Sequence, residues 1–350
     1  MAARHIIVSP SGKLYGSEQV LLDYLKFSNI KFSIFVAGRD LLYQKLKEDF
    51  KNHSISHFES VRILYIKLLF LCLTGKVASI YVNEAGHSKY VSLLARRFPS
   101  VKFVIHVRLI EDTPPDRWLT VSKPSNLVVL SISQFLKNML PLPSLQIYDP
   151  YNFHSNPGHQ AVKQQGKLNI GIIGRISLSK GLDTIIKLLE IVKGSSYYQV
   201  FRFHFFGDVM PDAVQSGRYE RLNEFSNVDI RGFEHNVEKI YDSLDCVIHG
   251  SGNEPLGRIF LEAIDFGKPL VGMNTGGIGE IGKMLQLDTL LIDKDKGDAS
   301  ELLFAKLLHL HNNYESSVAE INSKKNNALN IFGPVEYAAT IDSLLCKSNN

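Results

Sequence analysis

Short runs of β-branched and aromatic residues alternate with longer stretches of helical spacing along nearly the whole chain. HIIVS at 5–9 precedes SEQVLLDYLKF, in which Val20, Leu21, Tyr24 and Leu25 recur at the interval of one helix face. KFSIFVA at 31–37, ASIYV at 78–82, KFVIHV at 102–107 and LVVLS at 127–131 read as further strands. Helical patterns such as HSKYVSLLARRF and SQFLKNML separate them. Strand followed by helix, repeated, predicts a parallel sheet covered by helices.

After Pro150 the order lapses. SNPGHQAVKQQGK at 155–167 is polar, carries Pro and Gly and shows no periodicity, as a linker does. The alternation restarts with LNIGIIG (168–174), FRFHFFG (201–207), VDIRGF (228–233), DCVIHG (245–250), PLVGM (269–273) and TLLID (289–293). The expected class is therefore α/β, with two Rossmann-like doubly wound domains. The expected boundaries are 1–155, a linker at 156–167, 168–333, and a terminal helix at 334–350 that packs on the first domain or stays with the second. Open parallel sheets bind ligands at the carboxyl ends of their strands. Two such domains facing each other would place a site in a central cleft.

Composition narrows the picture. The chain has 350 residues, 45% apolar and 21% charged, enough for two ordinary soluble cores. Its three cysteines, Cys72, Cys246 and Cys346, lack CxxC spacing, which suggests a reducing compartment and no structural zinc. No secretory signal is read at the start, where Met1 to Arg4 run directly into a strand. The most apolar segment, ILYIKLLFLCLTG at 63–75, has 13 residues including Lys67, short of the roughly 18–20 that span a bilayer. Its apolar residues nearly surround the helix, so a core element is expected over one pressed against a membrane.

The net charge of +4 conceals an asymmetry: residues 1–150 hold 19 Lys and Arg against 11 Asp and Glu, and the remainder 20 against 24. A basic first half suits an anionic substrate or surface. The cations are dispersed and not interleaved with aromatics, so nucleic acid is not expected and an anionic membrane face fits at least as well. A solvated surface without a partner is the bland alternative.

Candidate chemistry gathers in GSGNEPLGRIFLEAIDFGKPLV at 250–271. Pro255 suits a first helical position, so a helix is expected from Leu256 or Gly257. The free amides of Leu256, Gly257 and Arg258 would then offer a seat for phosphate oxygens. Glu254 precedes the helix and Glu262 lies about a turn and a half inside it. An anion seat between two carboxylates suits a nucleotide sugar. Arg175 and Lys180 follow a strand end at a spacing that lets both reach one anion. The alternatives stay open: two surface charges around a turn, a capping Glu254 worth about 1 kcal/mol, and an exposed Glu262. Capping would leave the glycines unexplained. The glycines do not form G-x-G-x-x-G, and GRIS is no Walker loop.

The E-x7-E spacing of Glu254 and Glu262, within EPLGRIFLEA and before GKPLV, resembles the signature of retaining GT-B glycosyltransferases of the family-4 type. GRISLSKG at 174–181 is similar to that family's G-R-[IL]-x-x-x-K-G motif, and NTGGIGEI at 274–281 to its GG-x-x-E turn. YGSEQVLLDYL and LSISQFLKN resemble its first βα turn and its S-x-F helix start, so the resemblance covers both domains.

The resemblance implies the GT-B fold and transfer of a sugar, a UDP-sugar first, from a nucleotide donor to an acceptor hydroxyl in cell-surface polysaccharide or lipid-linked glycan assembly. Glu254 and His106 would contact the donor sugar and Glu262 the ribose. Arg175, Lys180, Gly16, Leu256 and Gly257 would hold the diphosphate. No metal or other cofactor is expected. The setting implied is cytoplasmic, peripheral at the inner face of the plasma membrane, with an anionic membrane surface as a partner. Tyr15 stands where the family has a first glycine, His249 where it commonly has Pro, and Asp149 where Asn is usual. A nucleotide-sugar epimerase, a phosphorylase and a silent sugar-nucleotide-binding subunit are the rival functions. His106 closes an apolar run, where a histidine is also a common hydrogen-bonded core residue.

Overall fold

The computed structural model describes residues 4–118, 123–154 and 166–346. The chain divides into two compact units, residues 1–152 with 332–350, and residues 153–331. Residues 156–165 of the expected linker, and 347–350 of the expected terminal helix, lie outside the described residues.

The first unit runs β1 (Arg4–Ser9), α1 (Gly16–Phe27), β2 (Phe32–Ala37), α2 (Leu41–Asp49), β3 (Ser54–Phe58), α3 (Val61–Leu73), β4 (Val77–Val82), α4 (Ser88–Arg97), β5 (Lys102–Val107), β6 (Leu127–Ser131), α5 (Gln134–Met139) and β7 (Leu145–Gln146). Its sheet is seven-stranded in the order β3-β2-β1-β4-β5-β6-β7. The pairs are parallel, with Ile7 opposite Ile34 on one side and Tyr81 on the other. Helices cover a parallel sheet on both faces, which is why the central strands are near-continuous apolar runs. Ile7, Ile34, Val36, Val104 and Leu130 form the core with Leu21 and Tyr24 of α1. Each such side chain contributes about 1.5–3 kcal/mol on burial.

The edge strand β3 reads SISHF, too polar for its pattern to announce a strand. One long side of an edge strand needs no partner, so sheet pairing overrides weak propensity there.

The second unit runs β8 (Leu168–Ile173), α6 (Leu182–Lys193), β9 (Phe201–Phe206), α7 (Pro211–Gln215), α8 (Arg218–Arg221), β10 (Val228–Gly232), α9 (Val237–Asp242), β11 (Cys246–His249), α10 (Arg258–Asp265), β12 (Leu270–Met273), α11 (Gly276–Leu285), β13 (Leu291–Ile292), α12 (Ala299–Asn312) and α13 (Tyr314–Ser323). Its six strands order as β10-β9-β8-β11-β12-β13, again parallel. Phe201, Phe203 and Phe205 of β9 share one core with Ile185 and Leu189 of α6 and with Leu303 and Leu307 of α12.

Helix α14 (Lys325–Phe332) leads to α15 (Pro334–Cys346). Tyr337, Ala338, Ile341 and Leu345 of α15 join the core of the first unit. Asp342 accepts hydrogen bonds from Tyr24 Oη and Ser28 Oγ, both at 2.7 Å, and from the Asn29 amide at 3.0 Å. Arg108 supplies a second tie: its guanidinium donates to Asp149 at 2.9 Å, to Asn83 Oδ1 at 3.0 Å and to Tyr337 Oη at 3.1 Å.

Helix α3 corrects the expectation of a core helix. Leu64, Tyr65, Leu68 and Cys72 are buried, whereas Ile63, Ile66, Phe70 and Leu73 are exposed. A helix on the outer layer of a sheet has only one face to bury, whatever its composition.

Candidate functional site

Each sheet winds outward in both directions from a central strand pair, β1/β4 in the first unit and β8/β11 in the second. The crevice at such a switch point is where open α/β sheets take ligands. In the second unit, the turn after β8 carries Arg175 and Lys180, and the turn after β11 carries Glu254.

These two turns meet. Lys180 Nζ donates to Glu254 Oε2 at 2.6 Å. His249, the last residue of β11, places Nε2 3.4 Å from the same oxygen. The Glu254 side chain is only 15% exposed, and Lys180 is 30% exposed. Burial by itself would raise the Glu254 carboxyl, but the His249 hydrogen bond and the Lys180 charge outweigh it and hold the pKa at about 2. Glu254 is therefore an ionised acceptor at neutral pH. Arg175 is exposed, five positions before Lys180 on the same turn.

The glycines make this approach possible. Gly181 has φ +80°, and a Cβ there would lie 2.2 Å from the Gly250 carbonyl. Only a residue without a side chain lets the start of α6 touch the strand-end backbone. Ser251 Oγ donates to the Ser179 carbonyl at 3.0 Å, fastening the same junction. On its other side the loop is held by α11. The Gly277 amide donates to the Glu254 carbonyl at 2.8 Å, and Thr275 Oγ1 to the Gly252 carbonyl at 2.7 Å. The carboxylate is thus fixed by backbone bonds as well as by its ion pair.

Helix α10 begins at Arg258, later than expected, because Gly257 takes a left-handed φ of +86° as its N-cap. Among the described residues no backbone acceptor receives the amide of Leu256 or Gly257. Glu262 has other partners than Glu254: it accepts from Tyr241 Oη at 3.2 Å and lies 3.5 Å from Arg258 Nε. Burial raises its pKa, against the lowering effect of Arg258 and Tyr241.

In the first unit, Gly16 starts α1 and is exposed, while Tyr15 precedes it with its amide bonded to Glu18 Oε2 at 2.9 Å. His106 is fully enclosed. Its Nδ1 lies 3.1 Å from Tyr81 Oη, and its ring stacks on Tyr337 at 6.3 Å between centroids. Burial, and then the charge of Arg108, lower its pKa well below the ordinary value. A sugar hydroxyl reaches this ring only if its neighbours move. The structure thus brings Lys180 and Glu254 together in one unit, with Arg175, Leu256 and Gly257 on the same two turns.

Two residues of these crevices were not singled out as site residues by motif. His249 closes β11 five positions before Glu254, and a histidine ending a buried strand beside an acidic loop was the available signal. Glu84 follows β4 at the first switch point, half-buried, with its pKa raised by burial against the hydrogen bond of Ser17. Only the strand order, which sets β4 beside β1, gives it that place.

Two doubly wound α/β units in one chain, each with a parallel sheet, are the architecture of the GT-B fold. Residues 159–325 match the family model described as glycosyl transferases group 1.

Two curated relatives come from Klebsiella pneumoniae. One, an uncharacterized 42.6 kDa protein in the cps region, is 28% identical over 117 residues, 33% of this chain and 29% of the relative. The other, an uncharacterized 41.2 kDa protein in the cps region, is 24% identical over 164 residues, 46% of this chain and 43% of the relative. The chain thus matches less than half the length of either.

Among solved structures, HepE of Anabaena in complex with UDP and glucose gives a TM-score of 0.76 at 16% identity, covering 98% of this chain and 99% of that one. A glycosyltransferase of Rickettsia africae gives 0.78 at 14%, covering 100% of both. TarM of S. aureus gives 0.71 at 12%, covering 98% and 100%. At these identities the likeness is one of fold.

Proposed function

We propose that this chain is a retaining glycosyltransferase that moves a hexose from a nucleotide sugar, a UDP-sugar first, to an acceptor hydroxyl in polysaccharide or lipid-linked glycan assembly. The observation that carries the reading is the Lys180–Glu254 pair at 2.6 Å on the switch-point turns of the unit that matches the group 1 glycosyl transferase family model. HepE in complex with UDP and glucose, and relatives in a cps region, support the donor and the setting.

In this reading Lys180 and Arg175, with the amides of Leu256 and Gly257, take up the negative charge that develops on the departing diphosphate, without a metal. Glu254, ionised, accepts hydrogen bonds from donor-sugar hydroxyls, and Glu262 from the ribose. The bond from the anomeric carbon to the diphosphate oxygen breaks as the acceptor oxygen attacks from the same face. The acceptor proton passes to the leaving phosphate oxygen. The basic first half supports work beside an anionic membrane on the cytoplasmic side.

A thermal-shift panel of UDP, GDP, ADP and TDP with their sugars tests the proposal. A ligand at 100 times its Kd adds about 2.7 kcal/mol of stability. The expected result is a rise in melting temperature with UDP and its sugars. No response to any nucleoside diphosphate would overturn the reading.

A further inference from the structure

Helix α3 presents a stripe that no described residue of its own unit covers. Ile63, Ile66, Phe70 and Leu73 recur at intervals of three and four and are each more than half exposed. The stripe runs about 15 Å along the helix at 1.5 Å per residue. The helix is well formed, with Ser60 Oγ accepting the Ile63 amide at its start. Helix α4 lies beside it: Tyr65 of α3 stacks on Tyr90 of α4 with centroids 4.8 Å apart, and Leu93 of α4 is exposed as well. Both helices therefore expose apolar side chains on the outside of the first unit.

Charge says what covers these side chains. Neither helix contains an Asp or Glu, and Glu84, half-buried, is the one acidic residue between positions 60 and 110. Arg62, Lys67, Lys89, Arg96 and Arg97 are exposed on these same helices. A soluble protein partner would match so one-sided a set only with a dedicated acidic face. A second copy of this chain would set like charges against each other. An anionic bilayer satisfies both halves at once, taking the apolar stripe among its acyl chains and the cations among its headgroups.

We propose that α3 and α4 form a docking face by which the first unit lies on an anionic lipid surface, inserting Ile63, Ile66, Phe70 and Leu73 to a depth of about 5–10 Å. Among the described residues no helix is long and apolar enough to cross a membrane, so the contact is a lying one. The inference takes its lipid setting from the function proposed above and adds to it the surface responsible.

Sedimentation of the full chain with vesicles tests it, using phosphatidylcholine alone and phosphatidylcholine mixed with phosphatidylglycerol. Binding is expected to be at least about 10-fold tighter on the mixed vesicles and to weaken with salt. Two variants separate the components, Ile66→Ser with Phe70→Ser, and Arg96→Glu with Arg97→Glu. Each is expected to lose about 10-fold in vesicle affinity. Each should keep the wild-type nucleoside diphosphate response and circular-dichroism spectrum, since the altered side chains lie on the outer faces of their helices. Reversing two charges in the last turn of α4 is expected to lower the melting temperature slightly, because acids there oppose the helix dipole.

Variants that bind vesicles as the wild type does would overturn the inference. So would a wild type that ignores phosphatidylglycerol, or one that is a dimer dispersed by the apolar double variant and binds no vesicle. A wild type that binds no vesicle yet responds to diphosphates sinks the docking face and leaves the transferase reading standing. Vesicle binding by a wild type without any diphosphate response does the reverse.

Discussion

Lys180 and Glu254 are 74 positions apart in the chain, yet Nζ and Oε2 are 2.6 Å apart in the fold. The contact exists because β8 and β11 are neighbours in the sheet while the segments between them wind to the far edge and back. A cation and an acid delivered by adjacent strand ends are held by the sheet, not by their own flexible side chains.

Replacing Lys180 by Ala is expected to remove the thermal shift from nucleoside diphosphates and to lower kcat by about 100- to 1,000-fold, the scale for losing one preorganised stabilising group. The side chain is partly exposed, so the circular-dichroism spectrum should be unchanged. An undiminished diphosphate response in this variant would contradict the role assigned to Lys180.

The ion pair has an acid signature. The Glu254 carboxyl is held at about 2 in the folded chain, below its ordinary 4.5, because the His249 hydrogen bond and Lys180 charge outweigh burial. A depressed folded pKa means that the unfolded chain takes up the proton first. The pair's contribution is then complete above pH 4.5 and lost as pH falls toward 2. Urea unfolding of wild type and Lys180→Met should differ above pH 4.5 and converge near pH 2. A difference that is constant across this range would count against the pairing.

Gly181→Ala and Gly75→Ala make a controlled comparison. Both glycines have positive φ, +80° and +66°, but a Cβ meets the Gly250 backbone at 2.2 Å in the first case and nothing within 4 Å in the second. Gly75→Ala should cost only the backbone strain, about 1–2 kcal/mol. Gly181→Ala must also push the strand-end loop away, so a larger loss of stability and a weaker diphosphate response are expected. Equal urea midpoints for the two variants would show that the turns do not pack as described.

Asp149 is the counter-charge of the buried Arg108, with Nε to Oδ2 at 2.9 Å. Asp149→Ala strands a guanidinium inside the first unit and is expected to cost about 3–5 kcal/mol, because an unpaired buried charge has no water to return to. Asp149→Asn keeps a hydrogen-bond acceptor and should cost less. Chemical denaturation of both variants measures the difference.

How much of this was legible beforehand follows from which forces are local. Strand-then-helix alternation marked both units, because apolar runs must be buried whichever residues they meet. The polar β3 escaped, since its strand character comes from pairing with β2 and not from its own side chains. The two turns of the candidate site were readable from Arg175, Lys180, Glu254 and the glycines around them. The role of His249 was not, because a lone histidine at a strand end reads as core until its neighbours are known.

By itself, the order of residues determined the two α/β units, their parallel sheets and the acidic and basic groups at particular strand ends. These depend on hydrophobic periodicity and on turn residues, which act over a few positions. Tertiary structure alone decided that Lys180 and His249 close on Glu254, that His106 is walled in by Tyr81 and Tyr337, and that the apolar helix α3 turns half its surface outward. Those outcomes turn on which strands lie side by side and which helix face meets the sheet. Such long-range packing choices are written in no short stretch of the chain.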